Sequence, residues 1–124
     1  MDGIERLYYA LGKVCYAVAK ADGQINFEER NKLHEIVVNE TKHNNYNFNI
    51  SEIIFHIHQK DDGLDLETTY NMALKEMNIC SNYLTDDMKA DFGAVVEKVA
   101  RAFDSVTVGE RNIIERFRRD IDLL

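Results

Sequence analysis

A chain of 124 residues is about one domain, long enough to bury roughly two-thirds of its unfolded surface without disulfides. Its composition, 45% hydrophobic and 30% charged, excludes a disordered polypeptide, and the absence of proline leaves nothing to interrupt long helices. The net charge of −7, from 22 acidic against 15 basic residues, argues against a nucleic-acid binder and leaves room for cations or basic partners.

The chain opens with MDGIERLYYALGKV, whose Asp2 and internal charges do not fit a secretion signal, and no stretch approaches the ~18 apolar residues of a membrane span. A cytoplasmic address without direct membrane insertion is the expectation. Apolar residues at three-and-four spacing predict a first helix from about Asp2 to Ala21, ended by Gly23, the residue that most easily adopts a left-handed backbone. A second helix begins after Asn26 and runs to about Lys42, where the Asn-rich HNNYNFN marks a loop. A third covers about Ile50 to Lys60, with Asn49 as N-cap. DDGLD breaks the chain, Asp65 caps a fourth helix, and that helix runs from about Leu66 to Asn82. Thr85 starts the fifth helix and Thr107 the sixth, which reaches the C-terminus. No strand-like alternation stands beside these patterns. The predicted fold class is all-α, a single helical-bundle domain of about six helices. Cys15 and Cys80 fall in helical patterns with no CxxC partner and read as core thiols in a reducing compartment.

Shifted by 81 residues, the chain matches itself: VAKADGQINFEERN (Val18 to Asn31) lies over VARAFDSVTVGERN (Val99 to Asn112). The flanking apolar faces match as well, with Leu7, Leu11 and Val14 over Met88, Phe92 and Val95, and Leu33 and Ile36 over Ile114 and Phe117. The repeat unit is a helix, a tight corner and a second helix. Two such halves, residues 2–42 and 85–124, flank a helical middle segment over 50–82 and are expected to close one core as a pseudo-two-fold pair.

At the corner, Asn26 followed by Glu29 fits a capping box, and Thr107 followed by Glu110 is its counterpart. Gly23, Ile25, Asn26 and Glu29 are explained without a ligand. Asp22 is not, because a carboxylate at a helix C-terminus faces the negative end of the dipole. ADGQINFEE resembles the back half of a calcium loop, with Asp22 and Glu29 in ligand positions, but the front half would need ligands from Val18 and Lys20. A divalent site composed from both corners stays open: Asp22, Glu29, Asp104 and Glu110, with Glu28 in reserve, a carboxylate set suited to calcium, magnesium or manganese rather than zinc. The other alternative is plain capping with solvated acids.

On AVAKADGQINFEERNKL (Ala17 to Leu33) and its fainter copy RAFDSVTVGERNII (Arg101 to Ile114), the chain resembles the TerB-like family, comprising the tellurite-resistance TerB proteins and the related N-terminal domain of certain DnaJ-like co-chaperones. With the helix pattern, the likeness covers most of the chain outside residues 43 to 83. The resemblance implies an all-helical pseudo-two-fold domain with an acidic surface cluster suspected of binding divalent cations. It also implies a link to bacterial tellurite and stress responses, often beside membrane-associated partners, and no established enzymatic reaction. Asp22 and Glu29 match the acidic motif directly and Glu110 matches in the second half. Asp104 matches only after a one-residue shift, and the second copy lacks the Asp-Gly pair.

Other candidates read as structure. His56 and His58 point about 200° apart on a helix, cannot share an ion, and read as solvated helix polarity, although His58 would pair with Asp62 if the helix continued that far. Tyr8, Phe92 and Phe117 belong to apolar stripes. Tyr9 and Tyr16 lie off the main stripe and either cover a helix edge or face a partner. Arg116, Arg118 and Arg119 in ERFRRD read as a solvated face. The cysteines have no basic neighbour in helical register, and there is no nucleophile elbow or phosphate loop. The expected function is a non-enzymatic binding module with a protein partner and a divalent cation at the helix corners. Its alternatives are a metal-independent interaction scaffold, a metal-dependent hydrolase using the same carboxylates, and a co-chaperone-like module, although no HPD triplet occurs.

Overall fold

The computed structural model describes residues 2–21, 23, 25–41, 50–60, 63–108 and 111–124. Among them the chain forms six α-helices: α1 Gly3–Ala19, α2 Phe27–Thr41, α3 Ile50–Gln59, α4 Leu66–Ile79, α5 Asp86–Ala102 and α6 Ile113–Asp122. A 3-10 turn, Ser81–Tyr83, links α4 to α5. A short antiparallel hairpin, β1 Thr107–Val108 and β2 Arg111–Asn112, separates α5 from α6. The all-α class holds, and no helix of the described residues is long and apolar enough to cross a membrane.

Local chemistry sets the helix starts. Asp2, Asp65 and Thr85 each accept a backbone N–H from three residues on, at 2.8, 2.8 and 3.2 Å, which satisfies donors that the first helical turn leaves open. The N-cap expected at Asn49 lies outside the described residues. The fourth helix stops at Ile79, three residues short of the prediction, because its last turn tightens into the 3-10 segment.

Helix α1 is the centre of the bundle and packs on α4, α3, α5 and α2. Leu7, Leu11, Val14 and Val18 are fully buried on its core side, each worth about 1.5–3 kcal/mol of apolar burial. Tyr8 meets Phe92 of α5 edge-on, with ring centroids 5.1 Å apart. Gly12 lets α3 come close: a Cβ there would stand 2.6 Å from Ile57 Cδ1. Cys15 and Cys80 are buried free thiols, and burial raises the pKa of Cys15, which keeps it protonated and inert. Helix α5 receives both α2 and α6. Between α2 and α5, Lys32 Nζ donates to the Ala102 carbonyl at 2.7 Å and lies 5.1 Å over the Phe103 ring, capping the C-terminal end of α5 with positive charge.

Two predictions are corrected. The sixth helix starts at Ile113, not at Thr107, and its N-cap is Asn112, which accepts from the Ile114 and Glu115 N–H groups at 3.0 and 3.3 Å. Thr107 is a strand residue paired with Asn112. The reason is local: Val106, Thr107 and Val108 form a β-branched run that favours an extended backbone over a helix start. The second correction is Arg116, read as solvated. It is buried between α4 and α6, with its Nη1 and Nη2 on the two Glu67 carboxylate oxygens at 2.6 and 2.8 Å. Its guanidinium lies 4.2 Å from the Tyr70 ring centroid, and the Tyr70 hydroxyl donates to Asp120 at 2.6 Å.

Candidate functional site

The first corner is built by Lys20, Gly23 and Asn26. Lys20 closes α1 by donating its N–H to the Tyr16 carbonyl at 3.1 Å, and Gly23 takes φ 154°, a backbone that side chains rarely permit. The capping box then forms as expected: the Glu29 N–H donates to Asn26 Oδ1 at 2.8 Å, and the Asn26 N–H donates to a Glu29 carboxylate oxygen at 3.2 Å. One oxygen of Glu29 is therefore engaged in a cap. Glu28 is exposed beside it.

At the second corner Asp104 is exposed and left-handed, at φ 55°. The 81-residue register places it over Gly23, which also has a positive φ, in a different region at 154°. Asp tolerates the left-handed conformation better than most residues, so the backbone accounts for an aspartate here. Asp22 and Glu110, the other two acids of the expected four, lie outside the described residues. Among the described residues no group of three or more His, Cys, Asp or Glu side chains is placed to hold a metal ion.

The structure concentrates charge and cavity elsewhere, on the edge of α1 that faces α3 and α4. Two cavities of about 550 and 210 Å3 adjoin there, sharing Tyr9, Lys13 and Met72. Arg6, Ala10, Ala73 and Glu76 complete the larger, and Tyr16, Lys20, Ile57, Lys60, Leu64 and Thr69 the smaller. Arg6, Lys13, Lys20 and Lys60 therefore meet only Glu76 as an acid among the described lining residues, in a chain whose net charge is −7.

Helix geometry builds this groove. Arg6, Tyr9, Lys13, Tyr16 and Lys20 follow one another at intervals of three and four, so they form a single stripe along α1. Lys13 Nζ lies 5.4 Å from the Tyr9 ring centroid and Lys20 Nζ lies 5.3 Å from that of Tyr16. The ring faces attract these ammonium groups by about 0.5–1 kcal/mol where exposed, which holds the cations over the groove. Arg6 Nε pairs with Glu76 at 2.5 Å at one end. Lys13 and Lys60 have no carboxylate within ion-pair distance among the described residues.

Two histidines of α3 touch the tyrosines of this stripe. The Tyr9 hydroxyl and His56 Nδ1 are 2.7 Å apart, and the His58 ring meets that of Tyr16 edge-on at 5.7 Å. Burial raises the Tyr9 pKa, which keeps the phenol protonated. His56 is exposed, as the reading of solvated polarity expects, and each histidine also contacts a tyrosine of α1, which that reading did not anticipate. Helix α3 ends at Gln59, and Asp62, the acid considered for His58, lies outside the described residues.

Sequence reasoning missed Arg6, Lys13, Lys20 and Lys60 as site residues. A signal was present: the polar and aromatic stripe of α1 has the same period as its apolar stripe, and only the latter was followed. Comparison with known proteins finds no matching family, no matching curated protein and no matching solved structure.

Proposed function

We propose that this protein is a non-enzymatic binding module of the TerB-like kind whose ligand site is the cationic, aromatic groove between α1, α3 and α4. The groove takes an anionic ligand. The observation that carries this reading is the gathering of Arg6, Lys13, Lys20 and Lys60 around two adjoining cavities in an otherwise acidic chain. Walls of Tyr9, Tyr16 and Met72 lower the local dielectric, so each ammonium attracts an anion more strongly there than on open surface. The repulsion from the rest of the surface then favours a ligand seated in the groove over one spread across the protein. The resemblance over Ala17 to Leu33 adds the expectation of a stress-linked role.

Thermal melts with inorganic triphosphate test the reading. At about a hundredfold excess over Kd, triphosphate is expected to stabilise the wild type by about 2.7 kcal/mol, a rise of several degrees in Tm. Lys13→Glu should abolish the rise and lower the ligand-free Tm only by the few degrees that loss of the Tyr9 contact, about 0.5–1 kcal/mol, costs. An equal rise in both proteins would place the anion elsewhere and overturn the assignment.

A further inference from the structure

We infer that the natural ligand of this groove is a small carboxylate with a compact apolar body, held in the smaller cavity by Lys13, Lys60 and Thr69, an inference that rests on the groove being an anion site. These three polar side chains reach the cavity from three elements. Lys13 comes from α1, Lys60 from the residue after α3 ends, and Thr69 from the start of α4. Among the described residues, none of the three side chains makes a hydrogen bond or an ion pair within the protein. The Lys13 ammonium rests over the Tyr9 ring, 5.4 Å from its centroid, and keeps its three donors. No acid stands among the described residues that line this cavity. A carboxylate has two oxygens and about four lone-pair positions, enough to accept from both ammonium groups and the hydroxyl at once.

The remaining wall suits a hydrocarbon. Met72 is 49% exposed and Leu64 is half-buried, so both present accessible apolar surface beside the lysines. A bare inorganic ion leaves that surface wet, whereas an apolar body covers it. Met72 also adapts its shape to the body it meets. Size then limits the ligand. The cavity holds about 210 Å3, the share of roughly seven liquid waters, which suits a molecule of about seven to ten non-hydrogen atoms. Inorganic triphosphate senses the charge of the groove and offers nothing to Met72 and Leu64.

Titrations of the full chain, followed by amide chemical shifts, test this with acetate, hexanoate, octanoate, decanoate and the neutral hexanamide. Hexanoate should bind at least about tenfold more tightly than acetate, because half-covering its further carbons suffices for that factor. It should bind about tenfold more tightly than hexanamide, which keeps the shape and lacks the charge. The gain with length should stop near octanoate, whose roughly ten non-hydrogen atoms fill the cavity. Lys60→Gln should weaken hexanoate several-fold and leave hexanamide unchanged. Met72→Ser should weaken hexanoate and leave acetate unchanged. Both residues are exposed, so both variants should keep the wild-type circular dichroism. Hexanoate no tighter than acetate, or hexanamide as tight as hexanoate, overturns the inference. A gain that continues through decanoate, the mark of nonspecific apolar binding, overturns it too, as does indifference to both variants. If triphosphate binds in a Lys13-dependent way and the carboxylate series fails, the ligand class is wrong and the anion site stands. If nothing anionic binds, both fall.

Discussion

The two helix corners share the tripeptide Glu-Arg-Asn, at residues 29–31 and 110–112, and are built differently. In the first, Glu29 is the third helical residue and answers Asn26 in a capping box, while Asn31 lies inside α2. In the second, Asn112 is itself the N-cap, and a hairpin occupies the place where a helix start was expected. The linking segment lengthens accordingly, from residues 20–26 to residues 103–112. The aligned residues Gly23 and Asp104 both take positive φ, but in different regions, at 154° and 55°. Identical side chains in aligned positions thus do different jobs, because the β-branched run of residues 106–108 changes the backbone before Asn112 is reached. Asn31 and Asn112, which align across the repeat, are accordingly not equivalent in structure.

The largest expected effect separates the corners by burial. Ile113 is 1% exposed and anchors the start of α6, so Ile113→Ala should cost about 2–5 kcal/mol. At the first corner Ile25, which precedes the cap residue Asn26, is only partly buried, and Ile25→Ala should cost less than half as much. Urea midpoints at unchanged m-value measure both, and equal losses would mean that the corners are anchored alike. The next effect is smaller and concerns the caps. Asn26→Ala and Asn112→Ala should each cost about 1 kcal/mol, whereas Thr107→Val, which keeps the β-branch and removes the hydroxyl, should stay within about 0.5 kcal/mol. A loss near 1 kcal/mol for Thr107→Val would restore Thr107 as the cap of a longer sixth helix.

Much of the fold was legible because its determinants are local. Asp2, Asn26 with Glu29, Asp65 and Thr85 each act on a residue three positions away, so their roles can be read within one turn of chain. Arg116 was misread because its partners arrive from afar: Glu67 lies 49 residues earlier, and the Tyr70 ring under the guanidinium comes from the same distant helix. The groove falls between these cases. The stripe of Arg6, Tyr9, Lys13, Tyr16 and Lys20 is visible as a period, yet only the packing of α3 and α4 determines that this edge of α1 borders a cavity rather than open solvent. The expected cation site was legible as a list of acids. Capping engages Glu29 and a left-handed backbone suits Asp104, while Asp22 and Glu110 lie outside the described residues.

The central claim is that ligand response belongs to the polar edge of α1 and not to the corners. The most direct measurement follows amide chemical shifts of the labelled protein during separate titrations with inorganic triphosphate and with calcium. The account predicts that triphosphate moves the signals of Tyr9, Lys13, Tyr16 and Met72 and leaves Asn26 to Glu29 and Phe103 to Ser105 in place. Calcium shifting both corners together, with α1 silent to triphosphate, would contradict it.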